Sequence, residues 1–194
     1  LQQLGVSKGE PVALFMNNCP QYIVAHYAVQ KIGAIVCPCG PLNKEHELEY
    51  QLNDMRARVI IAADVLLPVV DKVRDITQIE HVLAVRYAEW LPAEPTLALP
   101  AELQAPMQEL PVNVQSFWQI MQSGGTPQPV ALTMDDVALM TYTSGTTGLP
   151  KGAMLSLRAA AHKTAGASSS TGVTDQDVLL AVAPLYHIAG MLMG

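Results

Sequence analysis

The sequence predicts an α/β protein: a largely parallel sheet flanked by helices on both faces. Two observations carry this. Over residues 1–90, short apolar runs alternate with longer segments whose apolar residues recur at helical spacing. A strand, a helix and another strand in succession return the chain in the same direction, which makes the strand pairing parallel. Composition is the second observation. Half of the 194 residues are hydrophobic and 14% are charged, enough apolar material for a core and too little charge for disorder.

The elements follow in order. Pro11–Met16 is a short apolar run suited to a buried strand. Asn18 or Cys19 caps the helix that follows, with Pro20 in its first turn and Gly33 as its stop. Ala34–Cys37 is the next strand, and Asn43 caps a helix in which Leu48, Leu52 and Met55 share a face. Val59–Ala62 is a third strand, Leu66–Ile76 a third helix and His81–Val85 a fourth strand. Residues 87–115 hold five prolines without a sustained period and read as a long surface connection. The pattern then resumes: Ser116 caps a short helix over Phe117–Met121, Ser123–Pro127 turns, and Asp136–Thr141 is a strand. The Ala- and Ser-rich stretch Ala159–Ser170 reads as a helix followed by a small-residue loop.

Charge and cysteine content narrow the function classes. Eleven basic against seventeen acidic residues give a formal charge of −6, which opposes a basic groove for nucleic acid. No run of about 18 apolar residues is present to span a membrane. Leu1–Gly9 lacks the hydrophobic stretch of a signal peptide, and the missing initiator Met reads as a piece of a longer chain. Cys19, Cys37 and Cys39 are an odd number without a pairing pattern, which favours a reducing compartment and the cytoplasm. Cys37-Pro-Cys39 has no nearby His or second pair, so buried or idle thiols are expected rather than a metal or redox site. His26 is expected to pack on its helix, and Glu45, Glu47 and Glu49 to form a solvated face near a helix start. Met191 and Met193 suggest an adaptable apolar pocket or ordinary core filling.

The segment Thr141–Gly152, TYTSGTTGLPKG, follows a predicted strand immediately and concentrates the chemistry. Gly145 and Gly148 let the backbone turn and bring its N–H groups close to an anion. Thr143, Ser144, Thr146 and Thr147 offer hydroxyl donors to phosphate oxygens, and Lys151 offers a cation suited to a polyphosphate. The glycine spacing matches neither the Walker loop nor the dinucleotide fingerprint. On composition alone, a flexible Ser/Thr/Gly turn is the competing reading.

The order of Tyr142–Gly152 resembles the signature phosphate loop of the adenylate-forming family: acyl-CoA synthetases, aryl-CoA ligases, luciferases and peptide-synthetase adenylation domains. Ala183–Gly190, APLYHIAG, is similar to that family's Pro-Leu-aromatic-His segment, about 35 residues after the lysine. Gly5–Leu14, Gly33–Val36 and Asn43–Asp54 agree as well, the last resembling long-chain fatty acid CoA ligases most.

The resemblance implies the acyl-CoA synthetase fold and a two-step reaction. A carboxylate attacks the α-phosphate of ATP to give an acyl-adenylate and pyrophosphate, and the thiol of coenzyme A then displaces AMP. It further implies that Thr143, Ser144, Gly145, Thr146, Thr147, Gly148 and Lys151 contact ATP, with Thr147 at Mg²⁺. His187 is expected beside the acyl carboxylate, with Tyr186 next to it. The expected partners are a carboxylic acid, ATP and coenzyme A, with no nucleic acid. Peripheral contact with a membrane surface is a further expected option, and so is a homo-oligomer, since a truncated sheet exposes apolar surface through which the fragment associates with itself. Residues 1–194 are expected to be part of an N-terminal domain, inactive alone. Adenine, ribose and coenzyme A sites, a hinge and a C-terminal domain with a second lysine would lie in about 300 further residues. Two alternatives stand beside the fatty acyl-CoA ligase: an adenylation domain loading an amino or aryl acid onto a carrier, and a non-catalytic scaffold that keeps the family core.

Overall fold

The computed structural model describes residues 1–104, 109–143 and 148–193. Among them one sheet runs through the molecule, built from β1 (Pro11–Phe15), β2 (Ile35–Cys39), β3 (Val59–Ala63), β4 (His81–Val85), β5 (Val114–Ser116), β6 (Val137–Tyr142) and β7 (Gly152–Ser156). Its order is β5-β4-β3-β1-β2-β6-β7. Each pairing is parallel except the last, where β7 runs back along β6. The helices are α1 (Pro20–Lys31), α2 (Glu45–Met55), α3 (Leu67–Arg74), α4 (Ala101–Gln104), α5 (Phe117–Gln122), α6 (Leu157–Thr171) and α7 (Ile188–Met193).

The alternation of β1 sorts the core into two layers. Val12 and Leu14 face one apolar cluster with Tyr22, Ala25 and Val29 of α1 and Phe117 of α5. Ala13 and Phe15 face the other, with Leu48, Leu52 and Met55 of α2 and Leu67, Val70 and Val73 of α3. Both faces are thus covered, as the strand–helix alternation predicts. Each fully buried Leu, Ile or Phe contributes about 1.5–3 kcal/mol through loss of apolar surface to water. On the first face, α6 and α7 add Leu157, Ala160, Ile188 and Met191 at the margin.

Several local expectations are met. Pro20 opens α1 behind Cys19, the N-cap residue of the two candidates. Gly33 ends the helix region at φ +72°, and a side chain there would meet Leu132 at 2.8 Å. Ser116 caps α5, its hydroxyl accepting from the N–H of Gln119.

Others are corrected. Asn43 does not cap α2: Lys44 holds that position, with its N–H donating to the Glu47 carboxylate. The Asn43 amide instead donates to the Gln51 side chain at 3.1 Å, so it supports the same helix about two turns in. The connection over 87–115 is not free of elements. Tyr87–Trp90 forms a 3₁₀ turn, α4 follows, and β5 begins at Val114 to extend the sheet edge. The α6 helix starts two residues earlier than read, with the Ser156 hydroxyl as cap, and ends at Gly172 with φ 68°.

Pro38 sits inside β2, where it cannot donate to a ladder. The β2–β6 ladder is correspondingly thin, resting on the single register pair Val36↔Leu139.

Candidate functional site

In open parallel sheets, ligands bind outside the carboxyl ends of the strands, where connections leave toward opposite faces. Here the turn after β1 leads to α1 on one face, and the turn after β2 leads to α2 on the other. Two chemistry-bearing segments from much later in the chain converge on this edge.

The first is the connection between β6 and β7. It closes an antiparallel hairpin whose register ends at Tyr142↔Gly152. One further rung follows: the Thr143 N–H donates to the Lys151 carbonyl at 3.1 Å. The Lys151 N–H approaches the Thr143 hydroxyl at 3.4 Å. Thr143 and Lys151 therefore stand face to face at the mouth of the loop. Ser144, Gly145, Thr146 and Thr147 lie outside the described residues, and Gly148 is exposed on the returning leg. The Lys151 side chain is exposed and has no ion-pair partner among the described residues. A free cation at the neck of a hydroxyl-rich hairpin is chemistry suited to an anion.

The second segment is Ala181–His187, which docks on the turn after β1. The Asn18 amide donates to the carbonyls of Ala181 (3.1 Å) and Ala183 (2.8 Å), and its oxygen accepts from the Leu185 N–H at 2.7 Å. The buried Tyr22 hydroxyl donates to the Leu185 carbonyl at 2.9 Å. Burial pushes the Tyr22 phenol well above its ordinary range, so it stays protonated and keeps that donor. Leu185 is buried as the apolar anchor of the segment.

Tyr186 is half-buried beside Gly40, at the carboxyl end of β2, while His187 is exposed. The His187 N–H donates to Pro184, closing a tight turn, and its Nδ1 accepts from the Ala189 N–H at 3.3 Å. The neutral ring then carries its proton on Nε2.

The sequence points to Lys151, Thr143, Tyr186 and His187, and all four lie in the two segments at this edge. It gives no sign of Asn18 as the residue that grips the His187 segment. Asn18 reads locally as a helix cap, and its true partners are more than 160 residues away. Tyr50 and Asp54 of α2, which touch the hairpin, are also missed.

The remaining candidates stay structural. His26 is half-buried between the rings of Tyr22 and Tyr27, and burial lowers its pKa. Glu45 pairs with Lys72, and Glu47 is spent on the start of α2. Met191 packs at the edge of the core, while the side chain of Met193 lies outside the described set. Cys37 and Cys39 are fully buried, and no group of three His, Cys, Asp or Glu among the described residues could hold a metal. Desolvation raises both thiols, Cys39 to about 12. A thiol needs its thiolate to react. In the native protein both are expected to resist Ellman's reagent at about pH 8 for hours, and to react at once in denaturant. Fast labelling of either in the folded protein would show that this core opens.

No helix among the described residues is long and apolar enough to cross a membrane. Comparison with known proteins gives a consistent result. The family model described as AMP-binding enzyme matches residues 1–194. A long-chain-fatty-acid–CoA ligase of Bacillus subtilis (strain 168) is 31% identical over 98% of this chain, and the match covers 36% of that relative. One from Salmonella typhimurium is 33% identical over 99% of this chain and 36% of its own length. Among solved structures, a long-chain-fatty-acid–CoA ligase from Archaeoglobus fulgidus superimposes with a TM-score of 0.79 at 29% identity, over 98% of this chain and 34% of the other. The chain therefore spans about a third of the length of these relatives. With the parallel sheet, the hydroxyl-rich hairpin and the docked histidine segment in hand, the match over the whole chain identifies it as a member of the AMP-binding enzyme family.

Proposed function

We propose that this chain is part of the N-terminal domain of an ATP-dependent fatty acid–CoA ligase, with the rest of the site supplied by further sequence. The observation that carries the reading is the hairpin mouth, where Thr143 faces Lys151 and the lysine side chain is left unpaired among the described residues. In this reading MgATP is the substrate, and its triphosphate lies along the hairpin. Lys151 and the hydroxyls of Thr143, Ser144, Thr146 and Thr147 bind its oxygens, with Gly145 and Gly148 permitting close backbone approach. Mg²⁺ enters with the nucleotide and supplies charge neutralisation. Magnesium keeps most of its ligands as water and phosphate oxygen, so the Thr147 hydroxyl needs no carboxylate cage beside it.

Carboxylates are poor electrophiles. Attack of one carboxylate oxygen on the α-phosphorus breaks the bond to pyrophosphate and leaves an acyl-adenylate. The sulfur of coenzyme A then attacks the acyl carbon, AMP departs with the bonding pair, and the thiol proton passes to solvent or a base. The protein's share is positioning and charge neutralisation. His187 orients the carboxylate from the neighbouring segment, with Tyr186 shaping the floor. The unpaired buried thiols fit a reducing, cytoplasmic setting.

The test is pyrophosphate release by the full-length protein with MgATP across a panel of fatty, aryl and amino acids, with and without coenzyme A. Release that depends on a fatty acid, with coenzyme A consumed, is the expected result. Preference for an amino or aryl acid without use of coenzyme A would assign carrier loading instead. No acid-dependent release at all would leave the scaffold reading.

A further inference from the structure

The hairpin that carries Lys151 is not held by the sheet alone. One face of α2 meets both of its legs. Tyr50 and Asp54 stand four residues apart and so lie one turn above the other on that face. The Tyr50 hydroxyl donates to the Pro150 carbonyl at 2.8 Å. The Asp54 carboxylate accepts from the Tyr142 hydroxyl at 2.7 Å. The two tyrosine rings meet edge to face, centroids 6.5 Å apart at 80°, so the two contacts form one packed unit. Burial and the Asp54 carboxylate both raise the Tyr142 phenol well above its ordinary range, which keeps its proton in place to donate.

The consequence falls on one peptide group, that between Pro150 and Lys151. Its oxygen accepts from Tyr50, and its N–H points to the Thr143 hydroxyl at 3.4 Å. Proline fixes φ on the near side. With both poles of the peptide engaged, the direction in which Lys151 leaves the backbone is set before any ligand arrives. The other leg is set by Asp54 through Tyr142, the residue directly before Thr143.

We propose that Tyr50 and Asp54 are positioning residues of the nucleotide site: they pre-order the two legs of the hairpin so that Lys151 and Thr143 meet the phosphates without a prior ordering step. Neither touches the nucleotide. Their effect is on affinity for MgATP, because order present in the free protein need not be created on binding. The inference rests on the ligase reading for the identity of the ligand.

The experiment uses the full-length protein and measures MgATP binding by calorimetry, the KM of MgATP and of the acid, thermal midpoint, and amide exchange over 142–152. Loss of one hydrogen bond of this kind corresponds to about a fivefold change in an equilibrium. Tyr50→Phe, which keeps the ring, and Asp54→Ala are each expected to weaken MgATP about fivefold, to speed exchange in the hairpin, and to leave the acid KM and the thermal midpoint unchanged. Asp54→Asn keeps an acceptor oxygen and is expected to restore binding to within about twofold of wild type. Wild-type affinity in both Tyr50→Phe and Asp54→Ala overturns the proposal while the ligase reading stands. A proportionate loss in every parameter with a lowered midpoint assigns a purely structural role and also overturns it. A wild-type protein that does not bind MgATP removes the ligase reading together with this one.

Discussion

Lys151→Ala in the full-length protein is expected to lower the rate of acid-dependent pyrophosphate release by about a hundredfold, with no change in thermal midpoint. The size follows from the contact being removed. A charge-assisted hydrogen bond to phosphate is worth roughly 1.5–3 kcal/mol, and the upper part of that range corresponds to about a hundredfold in rate. The unchanged midpoint follows from exposure: the side chain has no ion-pair partner among the described residues, so the fold loses nothing with it. Lys151→Arg keeps the charge but not its shape, and should recover only part of the rate. Stopped-flow pyrophosphate detection checks both. An unchanged rate in Lys151→Ala would move the neutralising role to another cation, the second lysine of a C-terminal domain being the candidate that the resemblance implies.

Gly190→Ala is expected to disable the other half of the site. A Cβ on Gly190 would lie 2.1 Å from the Pro184 carbonyl oxygen, 2.6 Å from its carbon and 2.8 Å from the Ala183 carbonyl oxygen. These are backbone atoms, so no side-chain rotation relieves the clash. The same Pro184 oxygen accepts from the His187 N–H, and the neighbouring Leu185 is held by Asn18 and Tyr22. The added methyl must therefore either displace α7 or break the turn that presents His187. Overpacking of this kind costs about 3 kcal/mol. We expect amide exchange over 183–191 to quicken by about a hundredfold and the KM of the acid to rise at least tenfold, while MgATP binding is preserved. Exchange and kinetics equal to wild type would show that the helix slides aside freely and that the turn is not tied to the site.

Much of the fold is legible in the sequence because it rests on local periodicity. The apolar runs at Pro11, Val59 and His81 and the helical faces of Leu48–Met55 and Leu67–Val73 are each decided within about ten residues. What escapes is set by distant partners. β7 reads Gly-Ala-Met-Leu-Ser, half-exposed and short, and becomes a strand only because β6 is beside it. β5 has three residues inside a proline-rich stretch and is recruited by the edge of β4. Asn43 has the residue type of a cap, but Lys44 holds the N-cap position and the Asn43 amide donates to Gln51 instead. The site divides in the same way. The residues with reactive side chains announce themselves by composition and order, whereas Asn18, Tyr50 and Asp54 act through ordinary hydrogen bonds to backbone or to a tyrosine. No local pattern distinguishes such residues from surface polar ones.

The grip of Asn18 and Tyr22 on residues 181–185 has a bearing on biogenesis. As the chain leaves the ribosome, β1, β2 and β3 are complete by Ala63, so their pairing does not wait for later sequence. The Tyr22 hydroxyl and the Asn18 amide must wait for residues more than 160 positions later. Until then the turn above β1 keeps donors and an acceptor answered only by water. Emergence of the 181–185 segment is what closes that edge, so premature stops before it should yield chains with a formed sheet centre and an open rim, the kind of species that chaperones retain.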